Sequence, residues 1–401
     1  MYGLLGRHLA HSYSPAVHRL LGNPDYRLFE REPEAVEAFL RHGPWQGLNV
    51  TMPYKRQAAA CCDDLSPLAK ALGSVNTLVR RRDGSIYGDN TDVFGFVAMA
   101  KTLPVDYAGQ TALVLGSGGA SAAACYGLSA LGANPVVISR TGPDNYANLD
   151  RHEDAAVVVN ATPVGMYPHN GDSPLDLTRL PNLAAVLDLI YNPARTALLL
   201  QAQALGLAWA GGLTMLVGQA ARSCQLFTGK PVEGLEAIRR AVAWEKENLI
   251  LIGMPGCGKT TVGRALAKAL GRPFADTDRQ IARAAGCTVA ALIRQGGEDR
   301  FRAWETRALR RACAGSGQVI ATGGGCVTRP ENRDILRQNG RVIWLQRALH
   351  RLPRAGRPLS RDLAALEQVR RPLYAGFSQY TVDNNATVAE TVQQILEVMD
   401  R

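Results

Sequence analysis

The sequence is poor in aromatic residues and lacks long apolar runs. Phe, Trp and Tyr make up 6% of its 401 residues, and no segment approaches the roughly 20 apolar residues of a membrane-spanning helix. The eight cysteines form no CxxC pair and no Cys/His cluster with zinc spacing, so we expect reduced thiols. The start, MYGLLGRHLAHSYSP, lacks a signal peptide's apolar core. These absences predict a cytoplasmic protein without a membrane partner.

Charge is unevenly distributed. Residues 246–401 hold 25 Lys/Arg and 14 Asp/Glu, a net charge of +11, whereas residues 1–245 hold 20 and 21, a net charge of −1. A basic excess is typical of nucleic-acid binding, but a site for a polyphosphate and a carboxylate needs it equally. The basic residues form no run of five or six, and a solvated surface explains many of them.

The chain is long enough for two or three domains. The strongest boundary is WEKENLILIG, residues 244–253, where a charged helical pattern gives way to an apolar strand pattern. No Pro-rich or Ser-rich stretch intervenes, so any linker is short.

A first glycine motif follows a strand pattern at TALVLGSGGASAAACYGLSALGA, residues 111–133. The apolar run, the small-residue helix and the next strand, PVVIS, predict the opening βαβ unit of a dinucleotide-binding fold. Ser121 replaces the last glycine of the usual motif, which weakens the signal. The second strand is followed by Arg140 and Thr141 rather than an acidic residue, which favours NADP over NAD.

A second glycine motif, LILIGMPGCGKTTVGRAL at residues 249–266, matches G-x-x-x-x-G-K-[ST] between a strand and a helix. Its backbone N–H groups would cradle ATP phosphates, Lys259 would neutralise charge, and Thr260 would bind Mg²⁺. A later strand runs QVIATGGG instead of ending in aspartate, and a carboxylate pair appears in FADTD. This layout indicates a small-molecule kinase, with a nucleic-acid-binding ATPase as the alternative.

From residue 248 onward the chain resembles shikimate kinase, through GMPGCGKTT, FADTDRQI, GGEDRFRAWE, TGGG, GRPLS and RRPLY. The resemblance implies that Asp278, Arg302, Gly324 and Arg370 bind shikimate and that Arg357 is a catalytic lid arginine. It implies magnesium binding by Thr260 and Asp276. The implied ATP-binding residues are Gly253, Gly256, Gly258, Lys259 and Thr260. The lid segment, LPRAGRPLSRDLAAL, is shorter than is usual in that family.

Residues 1–240 resemble shikimate dehydrogenase, through LLGRHLAHSYSPAVHRLL, GLNVTMPYK, GSVNTL, GDNTDVFGF, NATPVGM, DLIYNPARTALL and GGLTMLVGQA. The resemblance implies that Lys55 and Asp92 are the catalytic pair. The implied substrate-binding residues are Ser12, Ser14, Thr51, Asn76, Tyr191 and Gln219. Ser14 followed by Pro15 also suits an ordinary helix N-cap. The implied NADP-binding residues are Gly116, Gly118, Gly119, Ala120, Arg140, Thr141 and Gly212.

Together these patterns predict an α/β chain of three parts. We expect an α/β substrate domain at residues 1–100, a Rossmann-like NADP domain at 101–245 and a P-loop kinase domain, similar to nucleoside monophosphate kinases, at 246–401. The segment between Thr141 and the strand pattern AAVVV is short, so the adenosine end of NADP would be less enclosed.

The expected function is bifunctional. The front part would reduce 3-dehydroshikimate with NADPH, and the back part would phosphorylate shikimate with ATP and Mg²⁺, without nucleic acid. The alternative is an active kinase fused to an inactive or quinate-type dehydrogenase. The sequence leaves the oligomeric state open.

Overall fold

The computed structural model describes residues 1–352 and 362–399. Contacts divide the chain into two compact units. Unit 1 consists of Met1–Met166, Asp172–Tyr191 and Leu198–Ala243. Unit 2 consists of Tyr167–Gly171, Asn192–Ala197 and Trp244–Arg401. Unit 1 contains most of the first two expected domains, but residues 167–171, 192–197 and 244–245 of the second belong to unit 2. The three-domain boundaries stay a prediction.

The first sheet of unit 1 has six strands in the order β2-β1-β3-β5-β6-β4. The strands are β1 (Tyr2–Gly6), β2 (Arg27–Glu30), β3 (Gly47–Val50), β4 (Asp64–Leu65), β5 (Thr77–Arg80) and β6 (Ile86–Asp89). The helices of this part of the chain are α1 (Ser14–Leu20), α2 (Pro33–His42), α3 (Lys55–Ala60), α4 (Pro67–Leu72) and α5 (Asp92–Ala100). Helix α5 contributes Phe96, Met99 and Ala100 to the core of the second sheet. Strand β5 is antiparallel to both β3 and β6, while β1 and β3 are parallel.

The second sheet of unit 1 is parallel, in the order β11-β10-β9-β7-β8. Its elements are β7 (Thr111–Leu115), α6 (Gly119–Ala130), β8 (Asn134–Ile138), β9 (Val157–Asn160), β10 (Ala185–Asp188), α7 (Ala197–Ala204), β11 (Ala208–Gly211), α8 (Leu213–Thr228) and α9 (Leu235–Lys246). The strands β9 and β10 are buried along their whole length, as expected for parallel strands covered on both faces. The strand order reverses between β7 and β9, which marks the usual ligand crevice of such sheets.

Helices α5 and α8 pack against each other at two glycines. A Cβ added to Gly95 would lie 2.4 Å from the Met215 carbonyl oxygen, and one added to Gly218 would lie 3.2 Å from Gly95 Cα. Only residues without a side chain allow the two backbones to come this close. This packing fixes α8, which carries Gln219, beside α5, which begins with Asp92.

Unit 2 is built on a parallel five-stranded sheet in the order β13-β14-β12-β15-β16. Its strands are β12 (Asn248–Ile252), β13 (Phe274–Asp276), β14 (Val319–Ala321), β15 (Gly340–Gln346) and β16 (Tyr380–Asp383). Its helices are α10 (Lys259–Leu270), α11 (Thr277–Ala285), α12 (Val289–Ala314), α13 (Glu331–Gln338), α14 (Leu363–Phe377) and α15 (Val388–Met399). Helix α12 is kinked at Gly297, whose φ is 77°. The central strand β12 is fully buried and leads into the second glycine motif.

Candidate functional sites

The predicted substrate residues of unit 1 gather at one edge of the first sheet. Ser12 and Ser14 follow β1, and Thr51 and Lys55 follow the parallel neighbour β3. Strand β5 runs in the opposite direction, so Asn76, which precedes it, lies beside the end of β3, where its carbonyl accepts from Val50 N–H at 2.8 Å. Carboxyl ends of parallel strands meet at one edge of a sheet, which explains why distant sequence motifs form one site.

Lys55 and Asp92 form an ion pair at this edge. Lys55 Nζ lies 2.5 Å from Asp92 Oδ2, and the two side chains are 20% and 5% exposed. Lys55 is the first residue of α3 and Asp92 the first of α5, where the helix dipole favours a negative charge. The pair is therefore a shielded ammonium held by a buried carboxylate, an arrangement able to deliver a proton to a bound substrate.

Asn76 orients the carboxylate of this pair. Its Oδ1 accepts from Thr91 N–H at 2.8 Å. Its Nδ2 donates to Asp92 Oδ1 at 2.9 Å and to Gln219 Oε1 at 3.0 Å. Because the amide oxygen is occupied by Thr91, the amide nitrogen must face Asp92 and Gln219. Lys55, Asp92, Asn76 and Gln219 thus form one hydrogen-bonded group, which we call the lysine cluster.

Ser12, Ser14 and Tyr191 form a second polar group. Burial raises the pKa of Tyr191, and its hydrogen bond with the Ser12 side chain opposes that rise. Ser12 Oγ accepts from Ser14 N–H at 3.2 Å. Ser14 is the first residue of α1 and Tyr13 the N-cap, so the helix-cap interpretation of Ser14 is wrong by one residue. Hydroxyls of this kind can bind a substrate carboxylate.

Sequence reasoning missed the buried hydroxyl groups beneath the lysine cluster. Ser223 Oγ lies 2.8 Å from Thr77 Oγ1 and accepts from Asn49 Nδ2 at 2.8 Å. Thr77 Oγ1 and Thr91 Oγ1 lie 3.0 and 3.1 Å from Asn76 Oδ1. The only available signal was periodicity, since Ser223 lies about one helical turn after Gln219. The hydroxyl groups of Thr77 and Thr91 thus contact the Asn76 amide oxygen and help to fix the orientation of the amide.

The first glycine motif lies at the crevice between β7 and β9. Gly116 has a φ of 104°, and a Cβ there would lie 3.1 Å from Thr162 Cγ2. Gly118 is the N-cap of α6, and Gly118 and Gly119 would each place a Cβ in open space. Ala120 is the next residue of α6. The space beside Gly118 and Gly119 would let a pyrophosphate group come close to the backbone. The N–H groups at the start of the 12-residue helix α6 could then donate to its oxygens.

Gly212 has a packing role of its own. It is the N-cap of α8, and a Cβ there would lie 2.1 Å from the Leu189 carbonyl oxygen. Close backbone packing therefore requires glycine here, and NADP binding by Gly212 stays a prediction.

Arg140 and Thr141 are exposed beyond the end of β8, where they can meet the ribose phosphate of a bound NADP. The segment that follows has only a 3₁₀ turn, Leu149–His152, before β9. His152 Nε2 lies 2.9 Å from Asp144 Oδ1, and Asn148 Nδ2 donates to the Pro143 carbonyl at 2.8 Å. The short segment is thus a compact hydrogen-bonded loop in place of a helix.

The second glycine motif forms a loop between β12 and α10. Gly253, Gly256 and Gly258 have φ values of 143°, 83° and 101°, which glycine alone adopts readily. Lys259 Nζ donates to the carbonyls of Gly253 and Met254 at 2.8 and 3.0 Å. Phosphate oxygens of a nucleotide would compete with these two carbonyls for the ammonium group.

The predicted magnesium residues meet beside this loop. Thr260 Oγ1 donates to Asp276 Oδ2 at 2.8 Å, and Asp276 Oδ1 caps α11 by accepting from Arg279 N–H at 3.1 Å. Among the described residues no three His, Cys, Asp or Glu side chains cluster as a metal site. A hydroxyl and a carboxylate nevertheless fit Mg²⁺, which keeps several waters and takes other ligands from phosphates.

The predicted acceptor-binding residues line a cavity of about 540 Å³ beside the glycine loop. It is lined by Lys259, Asp276, Asp278, Arg302, Glu305, Gly324 and Arg370. Arg302 and Arg370 are each 5% exposed. Arg302 Nη1 donates to Glu305 Oε2 and its Nη2 to Glu298 Oε1, both at 2.7 Å. Two buried guanidinium groups beside a carboxylate suit an acceptor with one carboxylate and several hydroxyls.

Glu305 and Tyr374 are site residues whose roles sequence reasoning missed. Burial raises the pKa of Glu305, and the Arg302 guanidinium opposes that rise. Tyr374 Oη donates to the Gly324 carbonyl at 2.5 Å, which also accepts from Arg370 Nη1 at 3.2 Å. The motifs GGEDRFRAWE and RRPLY contain both residues, but only the fold shows their partners.

The glycine triplet after β14 lies against the ends of the Glu305 and Arg302 side chains. A Cβ on Gly323 would lie 2.3 Å from Glu305 Oε1, and one on Gly325 would lie 2.1 Å from Arg302 Nη1.

The predicted lid residue Arg357 lies outside the described residues.

In the described part of the chain, no helix is long and apolar enough to cross a membrane.

Three family models match the chain. The shikimate dehydrogenase substrate-binding domain matches residues 4–78, the shikimate 5′-dehydrogenase C-terminal domain matches residues 212–243, and shikimate kinase matches residues 255–400. The matches occur in the order expected from the motifs.

Curated relatives match each part over nearly their whole length. A shikimate dehydrogenase (NADP⁺) from Caldanaerobacter subterraneus is 34% identical over 57% of this chain and 92% of its own. A shikimate kinase from Symbiobacterium thermophilum is 44% identical over 37% of this chain and 94% of its own.

Solved structures agree for the front part. Shikimate 5-dehydrogenase from Thermus thermophilus, in complex with NADP(H) and shikimate, is 34% identical, with a TM-score of 0.54 over 60% of this chain and 98% of that one. The chain therefore belongs to the shikimate dehydrogenase family through its front part and to the shikimate kinase family through its back part.

Proposed function

We propose that the chain catalyses two consecutive reactions. Unit 1 reduces 3-dehydroshikimate to shikimate with NADPH, and unit 2 transfers the γ-phosphoryl group of ATP to shikimate, giving shikimate 3-phosphate. Membership of both families supports the two activities. Two observations carry the assignment of residues. One is the lysine cluster in unit 1. The other is the cavity in unit 2 that is lined by Arg302, Arg370 and the loop of residues 253–258, which we call the phosphate loop.

In unit 1, Lys55 donates the proton of the reduction. Lys55 Nζ would give a proton to the carbonyl oxygen of the substrate, and NADPH, when bound, would supply the hydride for the carbonyl carbon. Asp92 holds the ammonium in place, and Asn76 fixes the orientation of Asp92. Ser12, Ser14, Thr51, Tyr191 and Gln219 bind the carboxylate and hydroxyls of the substrate.

In unit 2, the chain positions two reactants and neutralises charge. Arg302 and Arg370 bind the shikimate carboxylate, and Asp278 accepts a hydrogen bond from a shikimate hydroxyl. Lys259 and the loop N–H groups would bind phosphate oxygens of ATP. Thr260 and Asp276 would hold Mg²⁺, which would supply positive charge against the phosphates. Small molecules are the partners in this proposal, without nucleic acid. A cytoplasmic location belongs to the same proposal.

Two single variants of the full-length chain test this proposal. Lys55→Ala should abolish NADPH oxidation with 3-dehydroshikimate and leave phosphorylation of added shikimate unchanged. Lys259→Ala should do the reverse. NADPH absorbance and shikimate 3-phosphate formation are followed in the same reaction, with NADH in a parallel run. Loss of both activities in either single variant would contradict two independent sites.

The alternatives give different results in the same assay. Phosphorylation without reduction of 3-dehydroshikimate would favour an inactive dehydrogenase part, and NAD-dependent oxidation of quinate would favour the quinate-type assignment. ATP hydrolysis stimulated by DNA or RNA, but not by shikimate, would favour the nucleic-acid-binding ATPase.

A further inference from the structure

We propose that Arg347 binds the phosphates of the nucleotide in unit 2, in addition to the phosphate loop itself. The proposal rests on the kinase assignment and adds a residue that belongs to none of the motifs above. Arg347 follows the last residue of β15.

The sheet register places Arg347 at the level of the phosphate loop. Strand β12 ends at Ile252, which pairs with Trp344 of β15, so β15 continues beyond the end of β12. Gly253 lies beside this extension, because a Cβ there would lie 2.5 Å from the Leu345 carbonyl oxygen. Arg347 Nη1 lies 3.6 Å from the position of a Cβ on Gly258. The guanidinium therefore faces the last glycine before Lys259.

The neighbouring loop holds the phosphate loop in position. Asn384, which follows β16, donates from Nδ2 to the Cys257 carbonyl at 2.5 Å and accepts from Thr391 Oγ1 at 2.8 Å. Asn384 is 3% exposed, so its amide is fixed by the fold. Asn384 and Arg347 thus lie beside the same glycine, and Asn384 already has a structural role whereas the guanidinium of Arg347 is left for a ligand.

The charge around Arg347 favours an anion. Within residues 1–352 and 362–399, its Nε is buried without a hydrogen-bond partner and its guanidinium forms no ion pair. Lys259 and the N-terminus of the 12-residue helix α10 add positive charge nearby. Positive charges that lie close together without a negative partner repel one another, and a bound phosphate group would reduce that repulsion. A guanidinium also matches phosphate oxygens with two parallel N–H donors.

The test measures ADP binding to the full-length chain by isothermal titration calorimetry. Arg347→Ala should raise the Kd for ADP about tenfold, the value of one lost charge-assisted contact. Arg347→Lys, which keeps the charge, should restore part of the affinity. Inorganic pyrophosphate should show the same loss, whereas adenosine binding should not change. With ATP as substrate, the KM for ATP should rise while the KM for shikimate stays constant.

Arg333→Ala is the matched control, since Arg333 is exposed on α13, away from the glycine loop in sequence. It should bind ADP as the unchanged chain does. Thermal unfolding checks that each variant is folded. Unchanged ADP affinity in Arg347→Ala would overturn the proposal, as would loss of adenosine binding alone, which would assign Arg347 to the base. Failure of the unchanged chain to bind ADP would instead contradict the kinase assignment.

Discussion

His18 is a buried imidazole that cannot easily carry a charge. It is 1% exposed, its ring stacks on Tyr26 with centroids 3.8 Å apart, and its Nδ1 lacks a hydrogen-bond partner among the described residues. Burial lowers the pKa of His18 to about 3, against a smaller opposing effect of its hydrogen bond with Asn49. The folded chain therefore keeps His18 neutral at a pH where the unfolded chain protonates it.

The residue-scale prediction follows from this difference. Above the unfolded pKa of 6.5 the imidazole is neutral in both states and does not affect stability. As pH falls from 6.5 towards 3, only the unfolded state gains the proton, so stability is lost by about 1.4 kcal/mol per pH unit. Between pH 7.5 and pH 5.5, unit 1 should lose about 1 kcal/mol more in the unchanged chain than in His18→Phe. Urea unfolding of both proteins at the two pH values measures it, and equal losses would contradict the prediction.

At the scale of elements, the crossing of α5 and α8 connects packing to the site. Gly95→Ala would place a methyl group 2.4 Å from the Met215 carbonyl oxygen and force the helices apart. We expect unit 1 to lose about 1–3 kcal/mol of stability. Reduction of 3-dehydroshikimate should fall further than stability alone explains, because α8 carries Gln219 and α5 carries Asp92. Thermal unfolding and the NADPH assay measure the two effects, and phosphorylation should not change.

Gly376→Ala is the control for this helix pair. Gly376 lies in α14, and a Cβ there would meet nothing within 4 Å. The substitution should be neutral or stabilise by up to about 1 kcal/mol, because alanine favours helix. A loss equal to that of Gly95→Ala would show that any helical glycine is sensitive, and the crossing would have no special role.

The elements that sequence could predict are those with local signals. The patterns TALVLGSGG and LILIGMPGCGKT combine an apolar strand, glycines and a helix within one short segment, and both βα units and the α/β class are confirmed. Gly95 and Ser223 could not be assigned this way, because their partners lie more than 100 residues away in the chain. Close approach of distant backbones leaves no pattern in either local sequence.

At the scale of the whole chain, unit 2 includes residues that precede its main segment by about 50 positions. Arg195 donates from Nε to the Arg337 carbonyl at 2.7 Å and from Nη2 to the Gly340 carbonyl at 3.0 Å. Its Nη2 also lies 3.4 Å from Glu247, which pairs with Arg341 at 2.7 Å. A fragment that begins at Trp244 would lose these contacts.

We therefore predict that residues 244–401 alone unfold at a lower temperature than unit 2 does in the full chain. Arg195→Ala in the full chain should reproduce about 1–3 kcal/mol of that loss, because it removes two hydrogen bonds to partly buried carbonyls. Arg371→Ala should have almost no effect, since Arg371 pairs with Glu367 at the surface. Calorimetry of the fragment, the full chain and the two variants measures this, and equal stability of fragment and full chain would contradict it.

Pro135 has a consequence for the behaviour of the chain in concentrated solution. Strand β8 is an edge of the second sheet. Asn134 N–H donates to the Gln110 carbonyl just before β7, and the Ile138 carbonyl accepts from Gly116 N–H just after β7, so Pro135, at the alternate position, faces outward. Proline has no N–H to offer to an added strand. The edge formed by β8 is therefore a poor template for pairing with a second copy, and aggregation through this edge is disfavoured during synthesis and folding.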